Sequence, residues 1–311
     1  VALKQMQGSL GATLNDVAWV ITAYAIANVI VIPMTSWLSQ QFGRRNYFAV
    51  SIVIFTVASF LCGNSDNIWE LVVFRFIQGM GGGALLVTAQ TIITESYPPE
   101  KRGMAQAIYG MGVIVGPTLG PPLGGWIVDN FHWGWIFYIN VPLGIIATML
   151  TLMYVKSPKY GEKMSASQVD WWGMLFLIIF IGSLQFVLEH GQQDDWFDDP
   201  LITGLSVFSG FGLLAFIWRE MVYEHPIVNL RVLKDNNLRI GTILCFIMGF
   251  GLYGTTFIIP IYTQSILGWT ALDAGLLLIP SSITTAFMMP IIGQMIQRGV
   301  RQTYMVAVGF L

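Results

Sequence analysis

One cation stands where a cation is costly. Arg75 falls inside an apolar run, about one turn in from its end, and Gln78, Gly79, Gly81, Gly82 and Gly83 follow it. A guanidinium stays protonated and offers five donors. Inside an apolar layer it faces a cavity or a partner, so its position suggests ion or proton chemistry. The plainer reading is that Arg75 reaches back to the headgroup layer or pairs with Glu70. Gln78 adds an amide near the same depth, and the glycines let a second helix or a ligand approach the backbone closely. A second constellation is built from small residues. Gly112, Gly116, Gly120 and Gly124 recur every four residues, with Gly125 beside the last and Pro117, Pro121 and Pro122 interleaved. The glycines form a ridge suited to close helix crossing. The prolines remove rungs of the hydrogen-bond ladder and should bend the helix. Packing alone accounts for the glycines, but three prolines on the same helix favour a seam that moves.

The remaining titratable residues carry less. Asp16, Glu95 and Glu189 fall near the ends of apolar runs and read as interfacial groups rather than proton carriers. His132, His190 and His225 fall in loops, and no acid sits at mid-membrane depth. Cys62 and Cys245 lie in separate runs and read as two small buried hydrophobes, not a disulfide or metal pair. There is no H-E-x-x-H, no phosphate-binding loop with its lysine and no paired-cysteine spacing. The expectation is therefore no enzyme, no metal site and no cofactor, with any transport driven by an ion gradient or a partner. A net charge of −2 argues against nucleic-acid binding.

The elements that must hold these residues are membrane helices. Hydrophobic residues make up 55% of the chain and charged residues 10%, against about 25% charged in soluble domains. Mean hydropathy is +0.65. Apolar runs long enough to span predict helices near 17–37, 46–63, 71–94, 104–127, 134–155, 171–190, 201–219, 239–262 and 273–296, with a truncated tenth from about 303. The fold class is an all-α polytopic membrane protein. Basic residues occupy every second gap between runs: Arg44 and Arg45; Lys101 and Arg102; Lys156, Lys159 and Lys163; Arg219, Arg231, Lys234 and Arg239; Arg298 and Arg301. The intervening gaps hold acids, including Asp66, Glu70, Asp129, Asp194, Asp195, Asp198 and Asp199. Cationic loops stay cytoplasmic, so this alternation orients every span. Trp19, Trp69, Trp126, Trp133, Trp135, Trp196 and Trp269 then fall at the outer ends, where indoles favour the interface. Asn15 and Asp16 precede the first span as candidate caps. The short loop Phe42-Gly43-Arg44-Arg45 requires a tight hairpin, and its arginines serve either the topology alone or a latch on helix C-termini. Polar linkers at 156–168 and 219–238 divide the chain into a helical bundle (1–156), two extra helices with flanking linkers (157–238) and the start of a second bundle (239–311). The chain starts at Val1 and stops at Leu311 inside an apolar stretch too short to span, which reads as a piece of a longer protein.

Three stretches carry a family resemblance: Leu38 to Arg45 (L-S-Q-Q-F-G-R-R), Leu71 to Gly79 (L-V-V-F-R-F-I-Q-G) and Gly112 to Gly125 (G-V-I-V-G-P-T-L-G-P-P-L-G-G). Together they resemble, respectively, the loop motif, the fourth-helix motif and the antiporter motif of the major facilitator superfamily, and specifically of its fourteen-helix drug/proton antiporters. The resemblance implies that superfamily's fold, incomplete here, with Val1 to Leu3 as the tail of a first helix whose membrane-embedded Asp lies outside this sequence. It implies export of hydrophobic drugs in exchange for protons by alternating access, in the cell inner membrane, with a periplasmic adaptor and an outer-membrane channel as partners. Arg75 and Gln78 would serve proton coupling. Gly112, Gly116, Pro117, Gly120, Pro121, Gly124 and Gly125 would form a pliable hinge. Gly43, Arg44 and Arg45 would belong to the cytoplasmic loop motif, with Ser36 where the family has Gly and Gln40 where it has Asp. Tyr24, Asn28, Gln90, Tyr253 and Tyr262 are candidates to line the drug cavity. Two other readings stay open: a carrier of the same fold for one metabolite or siderophore, and a membrane subunit with no transport cycle.

Overall fold

The computed structural model describes residues 3–156, 170–269 and 271–310, with some side chains inside the helices left aside. Among these the regular structure is helical, in the order Leu3–Leu10 (α1), Leu14–Phe42 (α2), Arg44–Gly63 (α3), Ile68–Ser96 (α4), Pro99–Asn130 (α5), Trp135–Tyr138 (α6), Asn140–Tyr154 (α7), Trp171–His190 (α8), Pro200–Val222 (α9), Asn236–Ser265 (α10), Ala271–Gln297 (α11) and Gln302–Phe310 (α12). Each predicted span lies on one of these helices, the fifth being shared by α6 and α7. Seven stretches among the described residues, on α2, α3, α4, α6–α7, α8, α9 and α11, are long and apolar enough to cross a bilayer. α5 and α10, 32 and 30 residues long, carry the other two predicted spans. The linker lysines Lys159 and Lys163 lie outside the described residues.

Local chemistry sets the helix ends. The cap of α2 is Thr13, not Asp16: Thr13 Oγ1 accepts from the Asp16 N–H (3.2 Å) while Asp16 Oδ2 accepts from the Thr13 N–H (2.9 Å), a reciprocal capping box. Asp16 is its partner at the third helical position, and the Asn15 side chain lies outside the described residues. Gly43 alone separates α2 from α3, at φ +80°, which favours a residue without Cβ. Asp199 caps α9 through the N–H groups of Leu201 and Ile202, with Pro200 following it at the first helical position. Replacing Thr13 with Ala should cost about 1 kcal/mol of local stability. Hydrogen exchange of the full-length protein should show faster exchange confined to the first turn of α2; unchanged protection there would mean the box contributes nothing.

The helices form two compact units. The first comprises residues 3–88 and 133–240. In it, small residues of α3 and α7 replace bulk at the contact: Gly63 faces the Tyr138 ring and Gly144 faces Thr56. α8 and α9 meet at Gly212, where a Cβ would lie 2.8 Å from the Phe180 nitrogen, and Ser209 Oγ donates to the Phe180 carbonyl (3.1 Å). Trp19 of α2 leans on Phe186 and His190 of α8, at ring separations of 5.5 and 5.2 Å. Thr22, Ser59, Gln78 and Glu220 are buried, whereas Phe208, Phe211 and Leu214 of α9 are exposed. A polar inside and an apolar outside suit a lipid surround. Trp133 departs from the interface expectation: it is 2% exposed and packs edge-on against Phe137. His190 departs from the loop expectation: it is the buried last residue of α8, stacked on Phe186 at 4.4 Å.

The second unit comprises residues 89–132 and 241–310. α5 and α11 pack through glycines: a Cβ at Gly293 would lie 3.2 Å from Ala107 Cβ, Gly103 faces Ile296 and Gly110 faces Met289.

Candidate transport site

Arg75 of α4 turns into the first unit. Its Nε donates to the Val20 carbonyl of α2 (3.0 Å) and its Nη1 to Gln78 Oε1 (2.6 Å). Gln78 Nε2 donates to Ser59 Oγ (2.5 Å), and Ser59 donates to the Phe55 carbonyl of α3 (2.8 Å). Gln78 is 1% exposed and Ser59 fully buried. Cys62 Sγ stands 4.0 Å from Gln78 Oε1. The guanidinium lies 4.0 Å above the Tyr24 ring and 5.8 Å from the Phe137 ring, a cation–π arrangement. One polar chain thus ties α2, α4 and α3 together. Glu70 is engaged elsewhere, its Oε2 accepting from the Asp66 N–H (3.1 Å). The partners of Arg75 among the described residues are neutral: a carbonyl, an amide and two rings. A buried cation held by neutral groups keeps its charge available for an acid brought alongside.

Glycines make this approach possible. A Cβ at Gly79 would lie 2.6 Å from the Tyr24 carbonyl oxygen, one at Gly83 2.8 Å from that of Asn28, and one at Gly81 2.7 Å from the Ser51 carbonyl oxygen. α4 therefore lies against the backbones of both α2 and α3, as the glycine spacing predicts. Tyr24 and Asn28, expected to line a drug cavity, belong to this contact: Asn28 Nδ2 donates to the Tyr24 carbonyl (3.0 Å), and the Tyr24 hydroxyl faces Gly82. Gln90 and Tyr262 fall in the second unit, both exposed. The Tyr253 side chain lies outside the described residues.

The glycine ridge of α5 behaves differently. Among the described residues, a Cβ at Gly112, Gly116, Gly120 or Gly124 would meet nothing within 4 Å, and Gly125 is buried. The packed face of α5 carries Gly103, Ala107 and Gly110 instead. Two residues, from 110 to 112, turn a helix by roughly 200°, so the ridge starts at Gly112 nearly opposite that face. Within the second unit these four positions make no packing contact among the described residues. α5 is one continuous helix, and the side chains of Pro117, Pro121 and Pro122 lie outside the described residues.

In the loop motif, Gly43 makes the turn and the Arg45 guanidinium donates to the Leu152 carbonyl in the last turn of α7. A cation on the C-terminal end of a helix is favourable by charge and dipole, and this contact has the geometry expected of a latch on a helix C-terminus. Arg44 is half-buried.

Two polar contacts were not foreseen. Thr22 of α2, fully buried, donates its hydroxyl to Glu189 Oε1 of α8, whose Oε2 accepts from Gln185 (3.3 Å). Asp170, Arg219 and Glu220 form a second cluster where α8 begins and α9 ends. A signal existed for the Ser59 link: Ser51, Ser59 and Cys62 fall on one helical face of α3.

Comparison with known proteins places these motifs. The sequence profile of the Major Facilitator Superfamily matches residues 1–311. The chain is 39% identical over 295 residues to the multidrug export protein EmrB of Escherichia coli (strain K12), covering 94% of this chain and 57% of that protein. It is 38% identical over 295 residues to EmrB of Haemophilus influenzae, with the same coverage. It is 39% identical over 295 residues to the fatty acid resistance protein FarB of Neisseria gonorrhoeae, covering 94% and 58%. The chain therefore spans a little over half the length of these relatives. Among solved structures it is similar to the human organic anion transporter MFSD10 (TETRAN), with a TM-score of 0.45 and 14% identity over 95% of this chain and 75% of that one. With its whole length matched by the profile and its helices apolar enough to cross a bilayer, the chain is a multi-pass inner-membrane member of the Major Facilitator Superfamily, a transporter family and not an enzyme family.

Proposed function

We propose that the full protein to which this chain belongs exports hydrophobic drugs in exchange for protons. The relatives named multidrug export protein EmrB support the cargo class. Proton coupling rests on one observation: the Arg75 guanidinium, turned inward and held by neutral partners. In this reading the helical bundles rock about a central cavity that opens alternately to each side. Arg75 interacts with the acid of a preceding helix. When that acid is ionised the guanidinium stabilises it; when it takes a proton, Arg75 falls back on Gln78 and Val20. The glycine ridge of α5 is the pliable seam. An EmrA-like periplasmic adaptor and a TolC-like outer-membrane channel complete the export route.

The test uses the full-length protein in proteoliposomes with a lumenal pH dye. Adding drug should release protons in the opposite direction, and an uncoupler should stop drug efflux. Efflux at full rate without a proton gradient would overturn the coupling. FarB favours a second reading, export of fatty acids, for which a buried guanidinium is a suitable carboxylate partner. Proton release driven by fatty acids and not by cationic dyes would decide for it.

A further inference from the structure

Two acids that neither the topology nor the transport reading requires are buried together. Asp170 is 2% exposed and Glu220 fully buried. Asp170 caps α8: its Oδ1 accepts from the Gly173 N–H (3.0 Å) and from Arg219 Nε (2.8 Å). Glu220 Oε2 accepts from the Val228 N–H (3.1 Å), in the segment that leads to α10. The other oxygen of each, Asp170 Oδ2 and Glu220 Oε1, is buried and has no hydrogen-bond partner among the described residues. Both face one small volume above Gly173, where a Cβ would lie 2.7 Å from Oδ2 and 3.3 Å from Oε1. Among the described residues the charged and titratable groups around them are few. The Arg219 guanidinium stacks on Tyr223 at 4.1 Å. Arg231 Nη2 donates to the Met221 and Tyr223 carbonyls (2.8 and 3.3 Å). Glu224 and His225 are exposed beyond α9.

Arg219 brings one positive charge to two carboxylates, and of the two its ion pair is with Asp170 Oδ1. Among the described residues the second negative charge has no cation of its own, and the two buried acceptor oxygens, both beside Gly173, have no donor. A proton held by one acid and donated to the other corrects both defects at once. We propose that Asp170 and Glu220 share a single proton, forming a carboxyl pair that latches the segment from Tyr223 to Asp235 onto the base of α8 and opens when the proton leaves. On opening, the O–H proton passes to solvent water. Two carboxylates then repel beside one guanidinium, Glu220 turns away, and the Val228 N–H loses its acceptor. The segment carries Arg231 and Lys234, which mark this end as cytoplasmic, so the latch reads cytoplasmic pH.

The test is thiol labelling of Ile227→Cys, at a half-buried position of the latched segment, in the full-length protein. The background is Cys245→Ser, because Cys245 is exposed and Cys62 is buried. Rates are compared with the same protein carrying Glu220→Gln, whose amide donates to Asp170 Oδ2 at every pH and cancels the thiol's own titration. The ratio of the two rates should be near unity at about pH 6 and rise about tenfold by about pH 9, the effect of a one-unit difference in proton affinity. Glu220→Ala should label fast at both. A ratio flat with pH, or Glu220→Gln labelling as fast as Glu220→Ala, overturns the latch. Should Glu220→Ala fail to fold, the infrared band of a protonated carboxyl decides. It must be present in the wild type at the lower pH, vanish at the higher, and be missing from a Glu220→Gln, Asp170→Asn double variant.

Discussion

Arg75→Ala in the full-length protein should cut drug-driven proton release by about 100-fold, the scale on which a positioned proton-transfer group acts. The variant loses more than a charge. Gln78 Oε1 loses its Arg75 donor while Gln78 Nε2 stays bonded to Ser59, and a buried acceptor left unpaired costs about 1–3 kcal/mol. Thermal unfolding in detergent must therefore be measured beside transport. Two further variants separate charge from scaffold. Arg75→Lys keeps the cation but lacks the planar fork that reaches Val20 and Gln78 together, so intermediate coupling is expected. Gln78→Glu sets a carboxylate against the guanidinium and keeps the shape of the side chain. It should pin Arg75 in place, hold or raise stability, and still uncouple proton release from drug. Wild-type coupling in Arg75→Ala would remove the residue from the mechanism. Loss of coupling in proportion to loss of folded protein, with Gln78→Glu unaffected, would reduce the network to a structural tie.

The spans were legible because their signal is local and one-dimensional: apolar length between helix ends, and cations confined to alternate gaps. The α4 glycines were legible for a similar reason, since residues 79 and 83 share a helical face and small residues there admit a neighbouring backbone. What the sequence concealed depends on helices that meet across long separations. Glu189 looks interfacial until Thr22, 167 positions earlier, is seen donating to it. Arg219 looks like one more cytoplasmic cation until Asp170, 49 positions earlier, is found against it. Trp133 carries the same indole as Trp135, yet one is 2% exposed and the other 53%. Only the turn between Asn130 and α6 decides which of the two faces the core. The Thr13 cap was missed for a subtler reason: Asp16 is a good capping residue by type, but its carboxylate serves as the reciprocal partner at the third helical position.

The two glycine series should respond in opposite ways to the same substitution. Gly83→Leu places its Cβ 2.8 Å from the Asn28 carbonyl oxygen and 3.1 Å from the Asn28 Cα of α2, and no rotamer moves a backbone. α4 must withdraw from α2, which carries the Val20 carbonyl away from Arg75 and opens the Tyr24 stack. Overpacking of this kind costs about 1–3 kcal/mol or more, so the full-length protein should unfold at lower temperature and lose transport along with stability. A Cβ at Gly116 would meet nothing within 4 Å among the described residues, so Gly116→Leu should keep stability within about 0.5 kcal/mol of wild type. If the α5 ridge is the seam on which another helix slides during the cycle, drug efflux in this variant should nevertheless fall about tenfold or more, because the bulk is met only in the closed arrangement. Efflux is therefore lost with folded protein in one variant and without it in the other. Normal efflux in Gly116→Leu would leave the ridge as a surface facing lipid. A large drop in its melting temperature would mean instead that the ridge is a fixed contact of the complete protein, and the moving-seam reading would fall.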